Sequence, residues 1–239
     1  MERDDTLGRH VPVLARVATD DFARVVSSVG AWYLRLKRTL DVVTAVVLVV
    51  VLLPLLSAIV LLVRLTSPGP ALFRQRRIGQ HGRPFTMYKF RSMSLDADPR
   101  IHEQAIDAYV RGHALASGTS SLPFKLSGDR RVTRVGGALR KTSLDELPQL
   151  FNVIRGDMSL VGPRPALPYE VARYTARELP RLSVPQGMTG FWQVKGRGRV
   201  PYQEALALDI AYVRQRSFAL DVKILLLTIP TLLFARGGA

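Results

Sequence analysis

With 239 residues the chain is long enough for one well-filled core and an appended segment. It contains no cysteine, which excludes disulfides, thiolate zinc sites and cysteine nucleophiles, and its four histidines (His10, His81, His102, His113) lack metal-ligand spacing. The formal net charge of +15 is uneven: up to Asp41 seven Lys and Arg face six acids, and from Arg64 onward 27 face 13. A basic face alone reads as solvation or nucleic-acid binding. Here an apolar run separates the two parts, and a basic domain beside a bilayer lies against anionic lipid, each Lys or Arg contributing about 1 kcal/mol.

Residues 1–31 are mixed and polar, without a secretory signal pattern. Asp20 or Asp21 is positioned to cap a short surface helix running through Trp32 and Leu36. Val42 to Val63 then carries no charge, and 22 helical residues span roughly 33 Å, enough to cross a hydrocarbon core. Pro54 sits just past its middle, where it removes a donor and kinks a helix. Arg35, Lys37 and Arg38 flank one side; Arg64, Arg74, Arg76 and Arg77 flank the other. Basic residues favour the cytoplasmic side, and both flanks qualify. Two geometries remain open on these grounds. One is a spanning helix with a tolerated proline; the other is a broken helix that turns at Leu53-Pro54 and leaves on the face it entered, with Ser57 as a local partner for the break.

Ser67-Pro68-Gly69-Pro70 ends the segment. Ala71–Gln75 and Phe85–Phe90 read as strands of a hairpin joined by Gly79–Pro84. Leu95 to Leu115 reads as helical and Ser117 to Ser121 as a polar loop. Beyond it, short helices and loops are punctuated by Pro163, Pro165, Pro168, Pro180, Pro185 and Pro201. Leu220 to Phe234 is apolar and contains Pro230, which predicts an interfacial amphipathic helix rather than a second span. The fold expected is α+β and mainly helical. It comprises a polar lead segment (1–35), an apolar membrane segment (36–66) containing Pro54, and a third part (67–239) with a small β-hairpin and interfacial amphipathic helices.

Asp145-Glu146 lies in Thr142–Leu150, which reads as a helix start, with Arg140 and Lys141 before it and Gly162-Pro163-Arg164-Pro165 after it. Two readings compete. Ser143 followed three residues later by Glu146 fits a capping box. In the second, Asp145 in a first helical turn is held as a carboxylate by the helix dipole, and attacks a phosphoryl group once Arg140, Lys141, Arg155 and Arg164 offset the repulsion. Glu146 then supplies a hard oxygen for Mg²⁺. Arg164 between two prolines is a fixed guanidinium suited to phosphate, or an incidental surface residue. Gly187–Arg197, punctuated by glycines, reads as a nucleotide loop or simply a tight turn.

Together these blocks resemble the bacterial sugar transferase family, the monotopic polyprenyl-phosphate phosphoglycosyl transferases, over roughly Leu36 to Arg236. The resemblance is carried by Lys37-Arg38-Thr39-Leu40-Asp41, Tyr88-Lys89-Phe90-Arg91-Ser92-Met93, Arg131–Gly136, Leu144–Leu150, Asn152–Pro165, the Gly187–Arg197 loop and Leu220–Leu225, in the family's order. It implies a two-step reaction. Asp145 attacks the β-phosphate of a UDP-hexose and releases UMP; the phosphosugar then passes from the enzyme to undecaprenyl phosphate. The adjacent Glu146 is linked to Mg²⁺, with Mn²⁺ as the alternative. Lys89, Arg91, Arg140, Arg164, Gln193 and Arg197 fall on substrate-binding positions. The family's membrane segment is a re-entrant helix broken at proline, matching Pro54.

The stretch between Met93 and Arg131, ending in Pro123-Phe124-Lys125-Leu126, looks like the exopolysaccharide branch that transfers hexose 1-phosphates, in its short, catalytic-only form. Gln186 stands where the family usually has proline, and Lys195 and Arg199 add charge to a usually neutral loop. The implied location is the bacterial inner membrane, catalytic domain on the cytoplasmic face, against membrane lipids and without nucleic acid; a homodimer stays open. The competing readings are direct transfer with Asp145 as general base, a non-catalytic membrane-anchored scaffold for polysaccharide assembly, and a basic nucleic-acid binder, which leaves the apolar run and acid pair unexplained.

Overall fold

A computed structural model of the chain describes residues 30–95, 131–195 and 200–234. The expected helix over Leu95 to Leu115, the Ser117–Ser121 loop, Asp20, Asp21 and Arg197 lie outside the described residues. Within them the chain is mostly helical, with two two-stranded sheets.

Helix α1 (Ala31–Val51) and helix α2 (Leu53–Thr66) form the apolar segment, bent by 63° at Leu52. Pro54 sits in the first turn of α2, where its missing N–H and fixed φ fit a helix start. The main chain bridges the bend, Leu52 N–H to Leu48 O at 2.9 Å and Leu56 N–H to Leu52 O at 2.8 Å. Ser57, the expected local partner, is exposed. No single described helix is long and apolar enough to cross a membrane; α1 and α2 together are, by length and composition.

Strands β1 (Leu72–Ile78) and β2 (Pro84–Phe90) pair antiparallel, from Leu72 opposite Phe90 to Ile78 opposite Pro84. They run further toward the turn than expected. Helices α3 (Arg134–Thr142) and α4 (Gln149–Arg155) follow, then β3 (Met158–Val161), the short α5 (Pro168–Val171), and β4 (Gln186–Thr189), which pairs parallel to β3. Helices α6 (Phe191–Lys195), α7 (Tyr202–Gln215) and α8 (Phe218–Phe234) complete the chain. Helix α7 buries Ala205, Leu206, Asp209, Tyr212 and Val213, the three-to-four spacing of one helical face.

The main core joins Ala45 of α1, Met87 of β2, Leu150 and Val153 of α4, Met158 and Val161 of β3, Tyr212 of α7 and Ile224 of α8. The apolar segment is thus half built into the domain, and the Lys37–Asp41 motif makes the joint. Arg38 donates to the Val153 and Ile154 carbonyls at 2.6 and 2.9 Å, capping the end of α4. Lys37 pairs with Asp221 at 2.9 Å. Asp221 also accepts the Tyr33 and Tyr212 hydroxyls, at 2.9 and 2.7 Å. Lys37 and Arg38 therefore serve internal contacts rather than acting only as a basic flank.

The opposite faces of α1 and α2 expose Val46, Val47, Val50, Leu53, Leu61 and Leu65. Helix α8 differs from the expected amphipathic helix. Its polar Asp221 and Thr228 turn inward, Thr228 onto Thr189 at 2.8 Å, while Leu226, Leu227 and Ile229 face out. Both its faces are thus largely aliphatic, with Ile224 in the core and polar Asp221 and Thr228 among the inward-facing anchors.

Candidate active site

The acid pair occupies a 3₁₀ turn, Leu144–Glu146, between α3 and α4. Thr133 caps α3, accepting the Gly136 N–H at 2.9 Å. The helix ends at Ser143, which adopts the left-handed conformation (φ 57°) and returns its N–H to Arg140 O. This overturns the capping-box reading: Ser143 closes one helix instead of opening another, and its side chain makes no cap bond. Asp145 does stand in a first helical turn, but that turn is 3₁₀, and Leu147 and Pro148 come between the pair and α4. Asp145 is buried by the turn, at 6% exposure.

Glu146 reaches β2, where Lys89 Nζ lies 2.8 Å from its Oε1. A partly buried lysine thus fixes the acid next to the candidate nucleophile. Lys89 owes its place to strand alternation: Met87 faces the core and Lys89 shares that strand's register opposite Phe73.

Arg77, at the far end of β1, is buried and adds positive charge that the sequence reading did not assign. Burial pushes its pKa down to about 10, with the Arg164 guanidinium pushing the same way; Glu170, Tyr169 and Glu146 oppose. Arg77 therefore shares a charge neighbourhood with both Glu146 and Arg164, residues 18 positions apart in the sequence.

The loop carrying Arg164 is held at every step. Gly162 N–H bonds Thr189 O at 2.9 Å, and Gly187 N–H bonds Pro163 O at 2.8 Å. Arg181 Nη2 donates to Arg164 O at 2.9 Å, Arg77 Nη1 to Pro165 O at 2.8 Å, and Ile78 N–H to Ala166 O at 2.9 Å. The glycine-rich segment is what makes this possible. A Cβ on Gly187 would fall 2.1 Å from Gly162 N, so the two backbones touch only because both residues lack side chains. Gly187 and Gly190, the described glycines of that segment, thus meet protein main chain. Gln186 is fully buried and donates to Arg181 O and Val184 O, which accounts for an amide at that position.

The remaining expected site residues divide. Arg140 is half-buried in the last turn of α3, next to the acid turn. Arg164 is half-buried at the tip of its loop. Gln193 turns back on its own loop, toward Met188 O at 3.4 Å. Arg91 donates from its two terminal nitrogens to Ser67 O and Pro68 O at 2.7 and 2.6 Å, fastening the exit of α2 to the hairpin. Arg155 is directed at Tyr88 and Asp157. The sequence reading missed Arg77, Arg181 and Asp209. Asp209 stands as a lone charge in apolar company, Leu206-Ala207-Leu208-Asp209-Ile210, whereas Arg77 follows Arg74 and Arg76 and read only as part of a basic flank.

Among the described residues no group of three or more His, Asp or Glu gathers as a metal site. The donor set at the acid turn is oxygen-only and small. That fits Mg²⁺, which commonly binds through one or two carboxylates and completes its shell with substrate phosphates and water.

Comparison with known proteins identifies the family. The family model described as bacterial sugar transferase matches residues 32–235. The undecaprenyl-phosphate galactose phosphotransferase of Salmonella typhimurium is 41% identical over 205 residues, 85% of this chain and 41% of that protein. The exopolysaccharide production protein ExoY of Rhizobium meliloti is 39% identical over 202 residues, 84% of this chain and 87% of that protein. The UDP-glucose:undecaprenyl-phosphate glucose-1-phosphate transferase of Caulobacter vibrioides is 43% identical over 213 residues, 82% of this chain and 69% of that protein. The chain thus spans about two fifths of the length of several curated relatives it matches, at 41% to 43%. On the family match and these identities, the chain belongs to the bacterial sugar transferase family.

Proposed function

We propose that this protein transfers a hexose 1-phosphate from a UDP-hexose to undecaprenyl phosphate at the cytoplasmic face of the bacterial inner membrane, starting an exopolysaccharide or O-antigen-type glycan. In the first step an Asp145 carboxylate oxygen attacks the β-phosphorus, the bond from that phosphorus to the bridging oxygen breaks, and UMP leaves with the electron pair. In the second, an oxygen of the lipid phosphate attacks the same phosphorus and displaces Asp145, which returns as a carboxylate. A lipid phosphate is already an anion, so it needs no general base, which favours a covalent route over direct transfer.

The observation that carries this reading is the pairing of Lys89 with Glu146 beside a buried Asp145, in the charge field of Arg77 and Arg164. An anionic nucleophile and a diphosphate repel each other, and fixed cations lower that cost at the moment of reaction. Arg140 and Arg164 bind and orient the phosphates. Mg²⁺ or Mn²⁺, when bound, supplies further positive charge to the diphosphate, and Glu146 would hold it.

The bent pair α1–α2 supports a re-entrant segment. From Val42 to Val51 α1 is about 15 Å long, half of a hydrocarbon core. Its outward face and that of α2 are aliphatic, as is that of α8. A helix entering one leaflet, breaking at Leu52 and returning leaves both ends on the side where UDP-sugars are made. The deciding experiment is UMP release from a panel of UDP-sugars in the presence of undecaprenyl phosphate. Turnover that requires both substrates is expected; no release with any sugar overturns the reading.

A further inference from the structure

Arg181 and Asp209 are nearly sealed from water, with side chains 5% and 2% exposed, and meet at 2.6 Å. A buried ion pair is weak evidence for stability. Removing two charges from water costs several kcal/mol each, and packed apolar side chains of the same volume do as well or better. Their surroundings are apolar and aromatic, a cluster that includes Val171, Tyr174, Leu182, Tyr202 and Leu206. The charges need another reason to be there.

The hydrogen bonds supply it. Arg181 Nη2, the atom that meets Asp209 Oδ2, also donates to Arg164 O. Its other terminal nitrogen meets the Tyr174 hydroxyl, and its guanidinium lies 5.5 Å from the Tyr174 ring centre. Asp209 in turn feels the Arg164 charge and main-chain N–H. The next carbonyl, Pro165 O, is taken by a second buried guanidinium, Arg77, itself braced by Gln75 Oε1 at 2.7 Å. Two successive peptide carbonyls, flanked by two prolines of fixed φ, are thus gripped by two arginines from different parts of the chain.

We propose that the buried Arg181–Asp209 pair is a positioning device that fixes the Arg164 main chain, so that the Arg164 guanidinium meets the phosphates of the nucleotide sugar. This rests on the phosphate-binding role given to Arg164 above. A flexible arginine loses binding free energy to ordering; one whose backbone is already fixed does not. A guanidinium can bridge the Asp209 carboxylate and the Arg164 carbonyl in one plane, whereas an ammonium cannot hold that fork.

The test is a double-mutant cycle on the full-length protein in lipid nanodiscs, comparing wild type, Arg181→Lys, Arg164→Met and the double variant. Two readouts are taken: UDP affinity by calorimetry, and KM and kcat for UMP release. Arg181→Lys is expected to weaken UDP affinity and raise KM by about tenfold in the Arg164 background, yet change either by less than about twofold in the Arg164→Met background. A residue that merely holds the fold would cost the same in both backgrounds, and that additivity overturns the proposal. So does unchanged affinity in Arg181→Lys alone. If Arg181→Lys fails to fold, Asp209→Asn, which keeps an acceptor for Arg181, takes its place in the cycle. UMP release with additive effects leaves the reaction intact and removes the clamp. UDP binding with coupled effects but no UMP release from any sugar keeps the clamp and removes the reaction, and absence of UDP binding by the wild type overturns both.

Discussion

Asp41, in the middle of the apolar helix α1, accepts a hydrogen bond of 2.7 Å from Ser159 Oγ in β3, 118 residues away. The same carboxylate takes the Leu160 N–H at 3.3 Å and lies 3.8 Å from Lys37. An acid in such a run is the residue that docks the helix on the sheet. Burial of Asp41, Lys37 and Asp221 in one group makes the three interdependent, since removing one leaves the others uncompensated.

Asp41→Ala is therefore expected to destabilise the protein by about 3 kcal/mol, through a lost buried partner for Ser159 and Leu160. Thermal unfolding in detergent checks it. An Asp41→Ala variant that melts within a degree of wild type would remove the docking role.

Asp145→Asn should abolish turnover and, with UDP-sugar and Mg²⁺ but no lipid, the phosphosugar adduct that intact-protein mass spectrometry is expected to detect in wild type. An amide is a far weaker nucleophile than a carboxylate and adds nothing else to the site. Retained turnover would end the assignment.

Lys89→Met should lower kcat by roughly 10- to 100-fold, the usual effect of removing a side chain that orients a ligand or acid. The response to added Mg²⁺ should weaken, because Glu146 loses the partner that holds it. An unaltered Mg²⁺ titration in this variant counts against placing the metal on Glu146.

Pro54→Ala restores a donor near the bend and removes the clash with the turn before it, a matter of ~3 kcal/mol in a straight helix. Some molecules should then straighten into a spanning arrangement with lower activity. A single cysteine introduced by Ser28→Cys, probed in intact cells with an impermeant thiol reagent, reads the topology; the cysteine-free chain makes this clean. Protection from outside is expected with Pro54 in place, and partial labelling in the Pro54→Ala variant. Efficient labelling from outside with Pro54 in place would refute re-entry.

Burial pushes the Asp209 carboxyl from its ordinary 3.8 up to about 6, with Arg181 and Arg164 pulling it back. Its folded pKa lies above its unfolded one. Its own contribution to stability is thus fully present below about 4 and is lost as pH rises through about 6. Asp209→Asn removes that dependence. Wild type should accordingly gain on the variant by on the order of 2 to 3 kcal/mol between pH 7.5 and pH 4.5. Chemical denaturation of both proteins at the two values measures it; a difference that is flat with pH would show that Asp209 titrates normally, and one that grows toward pH 7.5 would show that Arg181 holds its carboxyl below the ordinary value.

What the sequence determined by itself was local or periodic. The aliphatic run dictated an apolar helical segment with Pro54 as a place to break, and the 63° bend at Leu52 was decided by the fold. Strand-forming residues around Gly79–Pro84 dictated a hairpin, and the ordered blocks from Lys37 to Leu225 pointed to the family. The tertiary structure decided which charges are buried and what they hold. Ser143 looked like a helix start and is a left-handed stop, a choice made by packing on either side of it. Arg91 also holds two carbonyls that only the folded exit of α2 presents. Arg77 reaches Pro165 across 88 residues, and Arg181 reaches Asp209 across 28. Contacts of that span leave no periodic trace, since only the fold brings the partners together. Burial gives each charge its meaning, and burial is a property of the whole fold.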